Sequence, residues 1–145
     1  MHARWTYAMA AALGAATLAA CGQDRAAASA AVERASTPAY TDITATQLHQ
    51  MMQAKDFVLV NVHIPYAGDI PGTDLSITFD RIAANVDRLP ADKSARIVLY
   101  CRSGRMSVEA SEALVSLGYR NVHHVVGGLQ AWHEAGYPLE LRGQP

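Results

Sequence analysis

Apolar positions along this chain fall into two kinds of pattern. Phe57-Val58-Leu59-Val60-Asn61-Val62 and Ile97-Val98-Leu99-Tyr100 are short, nearly unbroken runs, too short for helices and suited to strands covered on both faces. Tyr40 to Ile43 and Asn121 to Val126 read as two further strands. Between them the spacing becomes helical. Thr44 and Gln47 form a capping box opening a helix that runs to about Ala54, with Leu48, Met51 and Met52 as its buried stripe. Ile82, Val86 and Leu89 mark a second helix, begun near Phe79-Asp80 and stopped by Pro90. Ser107 to Leu117 places Val108, Ala110, Ala113, Leu114 and Leu117 on one face, and Gly118 is its C-terminal signal. Gly127-Gly128 turns into a last helix, Leu129 to Ala135, closed by Gly136, with Trp132 as a core aromatic. Pro65 and Gly68 to Thr73 form a loop whose turn is Ile70-Pro71-Gly72. Strands that alternate with helices predict an α/β fold, a mainly parallel central sheet with helices on both faces. Ligands of such sheets bind at the carboxyl ends of the strands.

Cys101 stands at that end, where the 97–100 strand turns into a helix. A thiol there meets inward-pointing loop N–H groups and the partial positive charge of a helix N-terminus, both of which favour thiolate. Arg102 and Arg105 are expected to add two nearby cations, and Ser103 and Ser107 offer hydroxyls. A buried structural cysteine is the alternative, and the polar Arg-Ser-Gly-Arg setting argues against it. His63 reads as a surface-loop residue that can also reach the pocket. His123 and His124 are adjacent in a strand, point to opposite faces, have no partner at zinc spacing, and read as structural. No metal and no organic cofactor is expected.

The first 21 residues have a different character. His2 and Arg4 precede an Ala-rich apolar stretch from Trp5 to Ala20, shorter than the ~20 apolar residues of a comfortable membrane span and suited to a signal peptide. It ends Leu18-Ala19-Ala20-Cys21, which resembles a bacterial lipobox. On that reading residues 1–20 are a leader cleaved before Cys21, Cys21 carries lipid, and residues 21–38 are an Ala-rich tether. An ordinary signal peptide cut after an Ala-x-Ala pattern is the alternative. The chain has 2 cysteines, so a lipidated Cys21 leaves Cys101 unpaired, whereas a free Cys21 allows a disulfide. The expected location is the periplasmic side of a bacterial membrane, held by the lipid alone. A net charge of −1 gives no reason to expect nucleic acid. Residues 39–145 have the length of one small domain, expected to be a monomer.

From Tyr40 to Leu139 the chain resembles a single rhodanese (sulfurtransferase) domain. The resemblance rests on Tyr100-Cys101-Arg102-Ser103-Gly104 leading into a helix, and on Gly118-Tyr119-x-Asn121-Val122 followed by Val126-Gly127-Gly128-Leu129-x-Ala131-Trp132. The Ile70-Pro71-Gly72-Thr73 turn is its third element. The resemblance implies a pocket of backbone amides that cradles a persulfide on Cys101, with residues 102–107 (Arg102, Ser103, Gly104, Arg105, Met106, Ser107) around the substrate and Asn61 and His63 as further pocket candidates. It implies a small sulfur-anion donor such as thiosulfate, and a thiol or cyanide as acceptor. Two positions depart from the family: Asn61-Val62-His63 stands where relatives often have Asp-x-Arg, and Met106 where many have Arg. Phosphatases and arsenate reductases of the same fold use Cys-x5-Arg, which requires Arg where this chain has Ser107. A persulfide carrier or docking and redox module without turnover is the remaining alternative.

Overall fold

The structure, a computed structural model, describes residues 39–141. The expected leader, Cys21 and the whole of the tether lie outside the described residues. Five strands, β1 (Thr41–Ile43), β2 (Val58–Asn61), β3 (Leu75–Ser76), β4 (Ile97–Tyr100) and β5 (Val122–Val125), form one sheet in the order β1-β5-β4-β2-β3. Every strand pair is parallel, as the strand–helix alternation predicts, and an isolated antiparallel bridge joins Asp69 to Glu140. Among the described residues there are three α-helices, α1 (Ala45–Met51), α2 (Arg105–Ser116) and α3 (Gly128–Glu134).

Strand alternation divides the core in two. Val98 and Tyr100 face a cluster with Leu48, Phe57, Val125 and Trp132, under α1 and α3. Ile97, Leu99 and Cys101 face the opposite cluster with Ala110, Leu114, Tyr119 and Val122, under α2. The capping box forms as read: Thr44 Oγ1 accepts from the Gln47 N–H at 3.1 Å, and Gln47 Oε1 accepts from the Thr44 N–H at 2.8 Å. Trp132 is buried and donates from Nε1 to the Pro138 carbonyl at 2.8 Å.

Three elements differ from expectation. The segment after Phe79 is two 3-10 stretches, Phe79–Arg81 and Ala83–Arg88, broken by Asn85 at φ −117°, ψ 27°. The Asn85 side-chain amide donates to the Arg81 carbonyl at 2.9 Å, the acceptor that its own backbone N–H would use in an α-helix, and that N–H turns to Ile82 instead. Ile82 and Leu89 still reach the core. The two-residue β3 was not expected, because Leu75-Ser76 is too short to show a period. Finally, α2 begins at Arg105, two residues ahead of Ser107, because Gly104 adopts φ +114° as its N-cap. Ser107 is therefore in the helix's first turn, facing back toward the cysteine.

Candidate active site

Cys101 follows β4 directly, is a free thiol, and is only 2% exposed. The Gly104 N–H donates to its Sγ at 3.0 Å, and Ser107 Oγ lies 3.6 Å from the sulfur. Burial alone would push the thiol up. The Ser107 hydroxyl and the N–H groups of Ser107, Gly104 and Ser103 outweigh that and hold it below the ordinary cysteine value. The inward-pointing loop N–H groups expected from the sequence are among the causes, and the two arginines are not. Backbone and hydroxyl donors do the work.

The two arginines part company. Arg105 points outward and pairs with Glu109 at 2.6 Å, one helical turn on, with its side chain 70% exposed. It does not supply the cation missing at Met106, which is half-buried and packs on the α2 side of the core. Arg102 is exposed, forms no ion pair among the described residues, and its charge reaches His63. Burial first, and then Arg102, hold that imidazole below the usual histidine value. His63 lines a cleft of about 380 Å³ with Ile64, Pro65, Tyr66, Ile77 and Thr78, at the carboxyl ends of β2 and β3.

Asn61 borders this cleft, but its polar atoms are spent on architecture. Its Nδ2 donates to the Gly68 carbonyl at 3.0 Å and to Asp69 Oδ1 at 2.9 Å, and its Oδ1 accepts from the His63 N–H at 3.0 Å. Tyr66 and Tyr100 also donate to the Asp69 carboxylate, at 2.9 Å and 3.1 Å. Tyr100 in turn accepts from the Ile70 N–H at 3.1 Å and shares a 2.6 Å bond with Thr73. A buried carboxylate hub thus stands where a salt bridge was missed, and it pins the 63–73 loop to β4. Asp69 and Thr73 were overlooked because Tyr100, which joins them, lies about thirty residues away, and Tyr66 because it enters only through Asp69.

The Gly127-Gly128 pair fixes the cysteine loop from behind. Leu129 and Gln130, in the first turn of α3, donate their N–H groups to the carbonyls of Cys101 and Arg102 at 2.9 Å and 3.0 Å. A Cβ on Gly128 would overlap the Cys101 carbonyl oxygen and lie 2.9 Å from its carbon, so only glycine permits this approach. His123 is structural as read, pairing through Nε2 with Asn121 Oδ1 at 2.9 Å. His124 is not merely structural: its Nδ1 is 2.9 Å from Ser107 Oγ, one step from the sulfur. Adjacent histidines do face opposite sides, and the register that brings one of them to Ser107 is what the sequence hides.

The model for the rhodanese-like domain family matches residues 44–135 of this chain. The chain is 33% identical over 105 residues to an uncharacterized protein of Synechocystis sp., a match covering 71% of this chain and 58% of that protein. It is 30% identical over 112 residues to a tRNA uridine(34) hydroxylase of Yersinia pestis, covering 70% of this chain and 32% of the hydroxylase. The chain thus spans less than two thirds of either relative's length. Among solved structures it is similar to a rhodanese-related protein from Thermoplasma volcanium (TM-score 0.61, 27% identity, covering 71% of this chain and 100% of that one). A rhodanese-like domain protein from Staphylococcus aureus is comparably similar (TM-score 0.60, 27% identity, covering 71% of this chain and 99% of that one). A Rhodopseudomonas palustris protein described as a possible tyrosine phosphatase aligns with TM-score 0.61 at 24% identity, over 88% of this chain and 100% of that one, which shows the fold alone.

Proposed function

The chain belongs to the rhodanese-like domain family, and we propose that it is a sulfurtransferase that moves sulfane sulfur through a persulfide on Cys101. The observation that carries this reading is the donor set on the sulfur: the Gly104 N–H at 3.0 Å, with the Ser107 hydroxyl behind it. Those donors favour the thiolate, the form that sulfur transfer needs.

The Cys101 thiolate attacks the outer sulfur of thiosulfate. A Cys101–sulfur bond forms, the sulfur–sulfur bond of the donor breaks, and sulfite departs with the electron pair. The new sulfur lies about 2 Å from Sγ, and the thiol that carries it is 2% exposed. Cyanide or a thiolate then attacks that outer sulfur, and Cys101 leaves as thiolate, a ping-pong course. Arg102, unpaired among the described residues, attracts the donor dianion. Ser107 in place of the phosphatase arginine speaks against phosphate chemistry, as tetrahedral oxyanion transfer would lack its bidentate clamp.

The test is intact mass after thiosulfate treatment, together with thiocyanate production from cyanide. Gain of one sulfur that is lost in Cys101→Ser, with thiocyanate formed, supports the reading. An unmodified thiol and no thiocyanate would refute it, and a persulfide without turnover would make the chain a carrier. We also propose export and lipid attachment at Cys21, motivated by the Leu18-Ala19-Ala20-Cys21 sequence. Inhibiting lipoprotein signal peptidase in the producing cell should leave an uncleaved precursor, and normal processing under that block would refute it.

A further inference from the structure

His124 is the polar side chain at this site that sulfur transfer as described leaves without a task. It lies in β5, level with Leu99 of β4 and Asp42 of β1. Alternation turns it to the α2 face, the side that carries Leu99 and Cys101. It is 5% exposed, and its Nδ1 is 2.9 Å from Ser107 Oγ. Ser107 Oγ also lies 2.9 Å from the Gly104 carbonyl and 3.6 Å from Cys101 Sγ.

A serine hydroxyl has one hydrogen, and here three acceptors surround it. If Nδ1 of His124 accepts that hydrogen, none remains for sulfur. If Nδ1 carries its own hydrogen, it donates to Ser107 Oγ, and the hydroxyl hydrogen is free to turn to the Gly104 carbonyl or to sulfur. A charged sulfur then wins, because charge-assisted bonds are about twice as strong as neutral ones. We propose that His124 is a positioning residue for Cys101, whose Nδ1–H holds Ser107 in the orientation that donates to the thiolate and to the persulfide formed from it. The proposal rests on Cys101 being the nucleophile.

The groups that face His124 come from two elements. From β1 and the residue before it come the Asp42 carboxylate and the Tyr40 ring, edge-on at 6.2 Å, and from α2 comes Ser107 with Cys101 behind it. Glu112 of α2 acts on Tyr40. Burial holds the imidazole below the usual histidine value, with Asp42 opposing, so the ring is neutral near pH 7. The tautomer, not the charge, is then what directs Ser107.

Nitrogen-15 NMR of the histidine-labelled protein reads that tautomer directly. The expected result is a protonated Nδ1 in neutral His124, with an inflection at the pH where iodoacetamide begins to alkylate Cys101. Ser107→Ala should remove the inflection. His124→Asn, whose amide nitrogen takes the place of Nδ1, should keep the alkylation profile. His124→Val should slow alkylation near pH 7 by about threefold to tenfold and move the profile to higher pH. An unprotonated Nδ1 throughout the titration, or superimposable profiles for the wild type, Asn and Val proteins, would overturn the proposal. Should His124→Val fail to fold, the wild-type tautomer decides alone. None of these readouts uses sulfur transfer, so they stand or fall separately from the sulfurtransferase reading.

Discussion

Gly128→Ala is the substitution that most directly probes how the fold makes the site. Gly128 sits at φ +53°, where an L-residue costs about 1–2 kcal/mol. Its added Cβ would overlap the Cys101 carbonyl oxygen and lie 2.9 Å and 3.0 Å from the carbonyl carbons of Cys101 and Arg102. All three are backbone atoms, which cannot rotate away as a side chain would. Relief requires α3 and the cysteine loop to separate, stretching the bonds from Leu129 and Gln130 at roughly 0.5–1.5 kcal/mol each. The sum is about 2–5 kcal/mol, a large share of the 5–15 kcal/mol typical of a native protein. Reactivity should fall further than stability, because a misplacement of about 1 Å at a reacting centre can cost on the order of a hundredfold. Urea unfolding measures the first effect, and alkylation of Cys101 in the folded protein measures the second. Gly136→Ala is the control: φ +81° and open space around the new Cβ leave only backbone strain. If Gly128→Ala loses no more stability than Gly136→Ala and alkylates at the wild-type rate, the coupling of α3 to the loop is wrong.

Arg102→Ala should raise the KM for thiosulfate several-fold in a thiocyanate assay, whereas Arg105→Ala should leave it unchanged and shift stability by no more than ~0.5 kcal/mol, as an exposed i,i+4 pair does; the reverse ranking would put Arg105 at the donor. Stability should decline as pH falls below about 6.5, since His63, His123 and His124 are all held below the usual histidine value, chiefly by burial, and the unfolded chain takes up their protons first. Urea midpoints measured across that range check the sign, and His124→Asn should flatten the slope. Thr44→Ala removes the side-chain half of the capping box and should cost about 1 kcal/mol without altering Cys101 alkylation.

What could be read in advance follows the range of the interactions. The strands were visible because Leu59, Val60, Val98 and Leu99 are buried on both faces of a parallel sheet, which leaves an unbroken apolar run. Thr44 and Gln47 were visible because their contact spans three residues. The 3-10 segment around Asn85 was not, because its apolar spacing is helical and one side-chain amide decides the matter. The bond of Tyr100 to Asp69 and the contact of His124 with Ser107 depend on how strands lie beside one another, which local spacing does not encode. The aim of Arg105 was likewise undecidable until Gly104 fixed the start of α2 and placed Glu109 one turn away.

The cysteine loop and the glycine pair behave as one device, and peptide geometry explains why. A trans peptide holds its C=O and N–H on opposite sides. Drawing the carbonyls of Cys101 and Arg102 toward the N–H groups of Leu129 and Gln130 therefore turns the N–H groups of Arg102 and Ser103 the other way. The Ser103 N–H is among the donors that lower the Cys101 thiol, and the Gly104 N–H donates to its sulfur at 3.0 Å. A ring of donors on the sulfur thus originates in two carbonyls anchored behind it, and that anchoring needs a residue without a Cβ at position 128. The groups that lower the Cys101 thiol are the Ser107 hydroxyl and the N–H groups of Ser107, Gly104 and Ser103, and neither neighbouring arginine is among them.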